Sequence, residues 1–132
     1  MEYLFNSRDE VQRLTSTVTP VSPLDLPVIQ GRLGASSSEV SVLCQKWHIT
    51  ELCLFGSVLR DDFGSSSDID LLASFDTSFH RGLSETLQIR DDFAYLFKRP
   101  VDLVVREAIE HSSNWIRREE ILETARLLYV AR

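Results

Sequence analysis

Hydrophobic positions along the chain change period several times, and each change marks an element. Val40, Leu43, Cys44 and Trp47 recur at i, i+3, i+4 and i+7 behind Ser36, which forms a capping-box pattern with Glu39. The spacing predicts an amphipathic helix running to about His48. Ile49 to Phe55 is a short apolar run that predicts a core strand, and Gly56-Ser57 at its end predicts a turn into a short helix over Val58 to Asp62. A Gly/Ser-rich polar loop leads to Asp68 to Phe75, a second strand with Ile69 and Leu71 on one face and two carboxylates on the other. Leu72-Ala73 continues the apolar run, as expected of a strand covered on both sides.

Ser84 is the predicted N-cap of a helix that carries Ile89, Phe93, Leu96 and Phe97 inward, ends on the basic pair Lys98-Arg99 and stops at Pro100. Val101 to Val105 is apolar enough to predict a central strand. Ala108 and Ile109 start a short helix that Ser112-Ser113 interrupts. The last predicted element is a longer helix from Asn114 to Tyr129, with Trp115, Ile116, Ile121, Leu122, Ala125 and Leu128 inward and Arg117, Arg118, Glu119, Glu120, Glu123 and Arg126 outward.

Helix, strand, strand, helix, strand, helix is the order of an α+β, or mixed α/β, domain over residues 36–132: a small mixed β-sheet packed by helices. Residues 1–35 are expected to form a separate N-terminal arm. Ser7 to Leu14 has the spacing for one or two helical turns, but Thr15 to Pro27 holds three prolines, with Gly31 and Gly34 beyond. Composition does not separate a disordered leader, a strap packed on the domain and a partner-docking element.

At 132 residues the chain is sized for one domain, without a second substrate-binding half. A net charge of −6 argues against broad nucleic-acid binding, which depends on Lys and Arg neutralising phosphates, and fits docking onto a basic partner. A nucleotide could still bind through a metal and a local arginine. No apolar run is long enough to span a bilayer and the first residues lack a basic-then-apolar leader, so the expected location is cytoplasmic. Cys44 and Cys53 sit among apolar residues without Cys-x-x-Cys spacing and are expected as buried free thiols.

The candidate chemistry lies between the first two strands. Asp68 and Asp70 share a strand face about 7 Å apart at Cα. Like charges that close repel unless a cation lies between them, and Mg²⁺ suits hard oxygen ligands while keeping positions for water and phosphate. Upstream, Gly56 lets the backbone approach a ligand, the Ser57 hydroxyl can donate to a phosphate oxygen, and unpaired amides at the start of the short helix attract anions. Arg60, one turn on, could reach the phosphates or pair with one of the aspartates. Asp102 is a lone carboxylate in an apolar strand: a third member of the site, or a residue that caps or pairs with an arginine. Asp61 and Asp62 read as exposed loop residues, and His48, His80 and His111 as structural or exposed.

Gly56-Ser57, ten residues, then Asp68-Ile69-Asp70 resembles the signature of the DNA polymerase β-like nucleotidyltransferase superfamily, and within it the minimal nucleotidyltransferase (MNT) branch. The resemblance covers roughly Ser37 to Tyr129. It implies the polymerase β-like nucleotidyltransferase fold and a third carboxylate on a neighbouring strand, a position that Asp102 matches. Asp68, Asp70 and Asp102 would then be the catalytic, metal-binding residues, with Gly56, Ser57 and Arg60 holding the nucleotide. The resemblance further implies two Mg²⁺ ions, ATP as donor and a HEPN-domain RNase toxin as partner. The chain would be its antitoxin, transferring AMP to a toxin tyrosine within a hetero-oligomer. Two alternatives stand beside it: a catalytically silent MNT module that neutralises the toxin by occlusion, and a small-molecule nucleotidyltransferase, which so short a chain supports poorly without dimerisation.

Overall fold

The computed structural model describes residues 18–131, so the helical turns expected over Ser7 to Leu14 lie outside it. Part of the segment expected to be irregular is helical: α1 spans Leu26–Leu33. Pro27 occupies its first turn, where a missing N–H costs nothing, and Gly34 closes it in the left-handed conformation, φ 66°. Prolines and glycines that read as breakers are here a start and a stop. Ile29 and Leu33 on its inner face are buried.

Helix α2 (Ser37–Lys46) follows with the predicted capping box: Ser36 Oγ accepts from the Glu39 N–H, and Glu39 Oε1 from the Ser36 N–H. Strand β1 is Ile49–Phe55. The short helix comes two residues earlier than expected, as a 3₁₀ turn over Gly56–Leu59. Strand β2 is Ile69–Phe75, with Asp68 immediately before it. Helix α3 spans Leu83–Phe97, and its N-cap is Gly82 rather than Ser84, because the Gly82 N–H is the one that donates to Glu85 Oε1, 2.7 Å away. At the other end Lys98 takes a left-handed cap, φ 56°, so the basic pair lies beyond the last turn. Strand β3 (Val101–Val105), α4 (Arg106–Glu110), α5 (Trp115–Thr124) and β4 (Arg126–Val130) complete the fold.

The sheet has the order β3-β2-β1-β4. β1 is antiparallel to both β2 and β4, whereas β2 and β3 are parallel and joined through α3. Alternation divides the strands between two cores. Leu52, Leu54, Ile69, Leu71 and Ala73 pack under α1, α2 and α3, while Cys53, Phe55 and Leu72 pack against Ile109, Ile121 and Ala125 of the α4–α5 side. Both faces being covered is why β1 and β2 read as nearly continuous apolar runs. Cys44 and Cys53 are free and buried, as expected; burial pushes the Cys53 thiol up to about 12. Among the described residues no helix is long and apolar enough to cross a membrane.

Two further expectations fail, and for related reasons. The last helix stops at Thr124, and Arg126–Val130 forms β4 on the free side of β1. Four consecutive buried residues do not fit one face of a helix, but they fit a strand covered on both sides. With the helix thus shortened, Trp115 and Ile116 are 62% and 64% exposed instead of inward. Strand β3, in turn, lies at the edge of the sheet, its apolarity coming from helices on its two faces and not from strands on its two sides.

The corrected end of the chain is testable. Leu128→Ala should cost about 2–5 kcal/mol by urea denaturation, as a core truncation. Trp115→Ala should stay within about 0.5 kcal/mol. A helix to Tyr129 with both residues inward would make the two losses comparable.

Candidate active site

Register brings the sequence-predicted residues together. Phe55, the last residue of β1, lies opposite Asp70 in the antiparallel pair, so Gly56 and Ser57 emerge beside that carboxylate. Asp70 lies opposite Asp102 in the parallel pair, which puts the two aspartates side by side on neighbouring strands. Asp68 is two residues back on the same face, and all three line one cavity of about 370 Å³ together with Thr86, Leu87 and Arg90 of α3. Asp68 and Asp102 are exposed while Asp70 is half-buried.

Gly56 could not readily be another residue. Its φ is +77°, and a Cβ built on it would collide with Oδ2 of Asp70 and lie 3.1 Å from Cγ. The backbone of the turn is therefore packed directly against the central carboxylate. Ser57, half-buried, is the second residue of the 3₁₀ turn, whose opening amides have no partner within it.

Cations from elsewhere in the chain hold this turn. Arg32 of α1 donates from Nη1 to the carbonyls of Val58 (2.9 Å) and Arg60 (2.6 Å). Arg99 donates to the carbonyls of Gly64 (2.8 Å) and Ser67 (2.9 Å), securing the loop that leads into Asp68. Both guanidinium groups also lie against the ring of Phe63, at 5.2 and 4.3 Å from its centroid. Arg32 and Phe63 were not singled out from the sequence, and Arg99 was read there only as a basic helix end. Neither α1 nor a post-helical Arg99 was visible there, so no signal placed them near the turn.

Electrostatics single out Asp70. Burial raises its pKa, the charges of Asp102 and Asp68 raise it further, and Arg117 and Arg60 pull it back. Arg117, at the start of α5 and read from the sequence as a surface residue, stands 3.9 Å from Asp102. Arg60 itself pairs with Asp62 at 3.1 Å, an exposed contact, and not with Asp68 or Asp70. Asp61 and Asp62 are exposed, His48 stacks on Phe79 and His111 Nδ1 meets the Glu107 carbonyl, so none of these joins the site.

The donor set suits a hard cation. Three carboxylates open to one cavity, one of them disfavoured as an anion by burial and then by the other two, and Mg²⁺ binds through few carboxylates while retaining waters. Among the described residues no group of three or more His, Cys, Asp or Glu side chains is placed to hold a metal ion by itself. The arrangement is an open carboxylate face, not a cage.

Two measurements probe the packing at Gly56 and Asp70. Gly56→Ala should cost more than about 1 kcal/mol from the left-handed backbone alone. Combined with Asp70→Ala it should cost less than the sum of the single changes, because the second removes the carboxylate that the new methyl strikes; urea melts of the double-mutant cycle check this. Since Asp70 has a raised pKa in the folded chain, the folded state binds its proton more tightly and stability falls as pH rises through that range. Asp70→Asn should therefore raise Tm at neutral pH in magnesium-free buffer. That gain should vanish once pH falls below the ordinary carboxylate range, as followed by circular dichroism.

Comparison with known proteins agrees with this geometry. The family model described as "Nucleotidyltransferase domain" matches residues 40–128, from inside α2 to β4. A curated relative from Methanocaldococcus jannaschii, named "Putative protein adenylyltransferase MJ1379", is 29% identical over 70 residues, 53% of this chain and 70% of that protein. A solved structure described as a "putative minimal nucleotidyltransferase" superposes with a TM-score of 0.54 at 26% identity, covering 80% of this chain and 97% of the other. A toxin–antitoxin crystal structure with AMP-PNP superposes with a TM-score of 0.56 at 16% identity, over 72% of this chain and 73% of that one, a distance at which the fold alone is shared. With the family model matched over residues 40–128, well over half of its length, this chain belongs to the nucleotidyltransferase domain family.

Proposed function

We propose that the chain is an antitoxin nucleotidyltransferase that transfers AMP from ATP to a tyrosine hydroxyl of a partner HEPN-type RNase toxin in the cytoplasm. The observation that carries this reading is the register of Asp102 beside Asp70, with Gly56 packed against the latter. It puts the Gly56-Ser57 turn on one side of the central carboxylate and a third carboxylate on the other. The toxin–antitoxin structure with AMP-PNP and the adenylyltransferase relative support the choice of nucleotide and of a protein acceptor.

Asp68, Asp70 and Asp102 would hold Mg²⁺, which when bound neutralises the phosphates and lowers the barrier to in-line displacement. The Ser57 hydroxyl and the amides of the turn would hold the triphosphate, with Arg60 able to leave its weak exposed pair with Asp62 for a phosphate oxygen. Asp102, on the side away from the turn, would accept the proton of the attacking hydroxyl. The new bond joins that oxygen to the α-phosphorus, the bond from this phosphorus to the bridging oxygen breaks, and pyrophosphate leaves. Apart from that proton transfer, the work of the chain is positioning, so a small domain suffices.

The decisive assay mixes the full chain, ATP labelled at the α-phosphate, Mg²⁺ and the product of the neighbouring gene. Label should appear on the partner's tyrosine and fall by about 10²-fold or more in Asp70→Asn, with RNase activity returning in parallel. Magnesium removal by EDTA should abolish transfer. A partner silenced equally well by the Asp70→Asn chain, without label, would instead make this a binding module.

A further inference from the structure

The two edges of the sheet are treated differently. Beyond β4, residues 19–21 run alongside: Pro20 bridges to Leu127, the Val21 N–H donates to the Leu127 carbonyl at 2.9 Å, and the Leu127 N–H donates to the Thr19 carbonyl at 2.8 Å. Beyond β3, at the other end of the order, no segment pairs among the described residues. An apolar edge strand of five residues left open is unusual, because it offers a row of main-chain groups to any extended chain.

Which groups it offers follows from one bond. The Ile69 N–H donates to the Pro100 carbonyl, so by strand alternation Asp102 and Val104 turn their main-chain groups toward β2. Val101, Leu103 and Val105 turn theirs outward. A peptide paired to those groups would have one residue directly opposite Asp102, with its side chain on the carboxylate face about 5 Å away. Its two neighbours would project to the opposite face, beside Val101 and Leu103. There α3 presents Leu87, 41% exposed, and Arg90, both lining the same cavity as the carboxylates. Among the described residues the Arg90 side chain is held only by an exposed pair with its neighbour Asp91, a contact worth little.

We infer that the open edge of β3 is the acceptor-docking surface: an extended segment of the acceptor protein adds to the sheet as a fifth strand. Its hydroxyl-bearing residue sits opposite Asp102, with one neighbour apolar against Leu87 and Leu103 and the other acidic against Arg90. Main-chain bonds would give affinity and the alternate side chains specificity. Continuity with the carboxylate cavity favours this occupant over a second copy of this chain, whose net charge of −6 would set like charge against the three aspartates. The inference rests on the transferase reading for its choice of occupant.

The test uses the full chain with Mg²⁺, α-labelled ATP and short synthetic peptides. One has tyrosine between leucine and glutamate, a second has lysine for the glutamate, and a third repeats the first with alternate amides N-methylated. The first should be labelled with a KM at least about tenfold below the second. Arg90→Glu should reverse that preference between the two charged peptides. The N-methylated peptide should be inert. Leu103→Pro, which removes an outward N–H and no β2–β3 bond, should raise the peptide KM; if it fails to fold, Arg90→Glu carries the result. Equal KM for the two charged peptides, or undiminished labelling of the N-methylated one, overturns the inference. If the wild-type chain labels neither peptide nor partner, the transferase reading has failed, and the edge is then judged by fluorescence anisotropy of the same peptides. Binding sensitive to Arg90→Glu and to N-methylation upholds it, and its absence overturns it. Slow hydrogen exchange at Val101, Leu103 and Val105 in the free chain would also overturn it, by showing the edge already covered.

Discussion

A carboxylate pressed against a glycine is the contact on which the rest of this structure depends. Asp70 fills the space that a side chain at position 56 would need, and it does so while half-buried and flanked by two other acids. Such an anion is expensive to keep, since both desolvation and like charge oppose it. The fold supplies partial relief through Arg117 and Arg60, neither of which makes a close ion pair with Asp70. Stability would be served better by a neutral residue there, and an acid kept at such a cost in a cleft is a candidate for function, not for stability.

Around that contact the architecture is a set of constraints on register. The antiparallel pairing of β1 with β2 delivers the turn to one side of Asp70, and the parallel pairing of β2 with β3 delivers Asp102 to the other. A slip of one residue in either pairing would send the carboxylates to the opposite face. The slip is prevented by burial on both sides of the sheet: Ile69, Leu71 and Ala73 into one core, Leu72 into the other. The precision of the site is thus borrowed from the cores. Arg32 and Arg99 complete it locally, pinning the carbonyls before and after Phe63 so that the loop between turn and strand does not drift.

The parts legible in the sequence were those whose signals are short-range. The capping box at Ser36 and Glu39, the strand at Ile49 to Phe55 and the glycine-serine to Asp-x-Asp spacing each depend on a few adjacent residues, and each describes the structure well. The parts misread are those decided by distant contacts. Arg126 to Val130 has helical spacing with the residues before it, and becomes a strand because β1 has a free side to pair. Gly34 and Pro27 look like breakers until α1 has a core to pack on. Arg117 has the look of a solvated surface residue and lies near Asp102 only once the chain has turned at Ser112.

The edge position of β3 connects this misreading to function. An apolar strand was expected at the centre because, in water, an open apolar edge invites association. Here the sheet could have ended on the charged, partly exposed residues typical of protected edges, yet it ends on Val101, Leu103 and Val105, beside the carboxylate whose neighbour across the edge would be a substrate. The opposite edge, remote from Asp102, is sealed by the chain's own residues 19–21. A domain this small has little room to build a pocket around an acceptor; among the described residues the edge beside Asp102 is unpaired, and an acceptor docked there would supply a wall of the site itself.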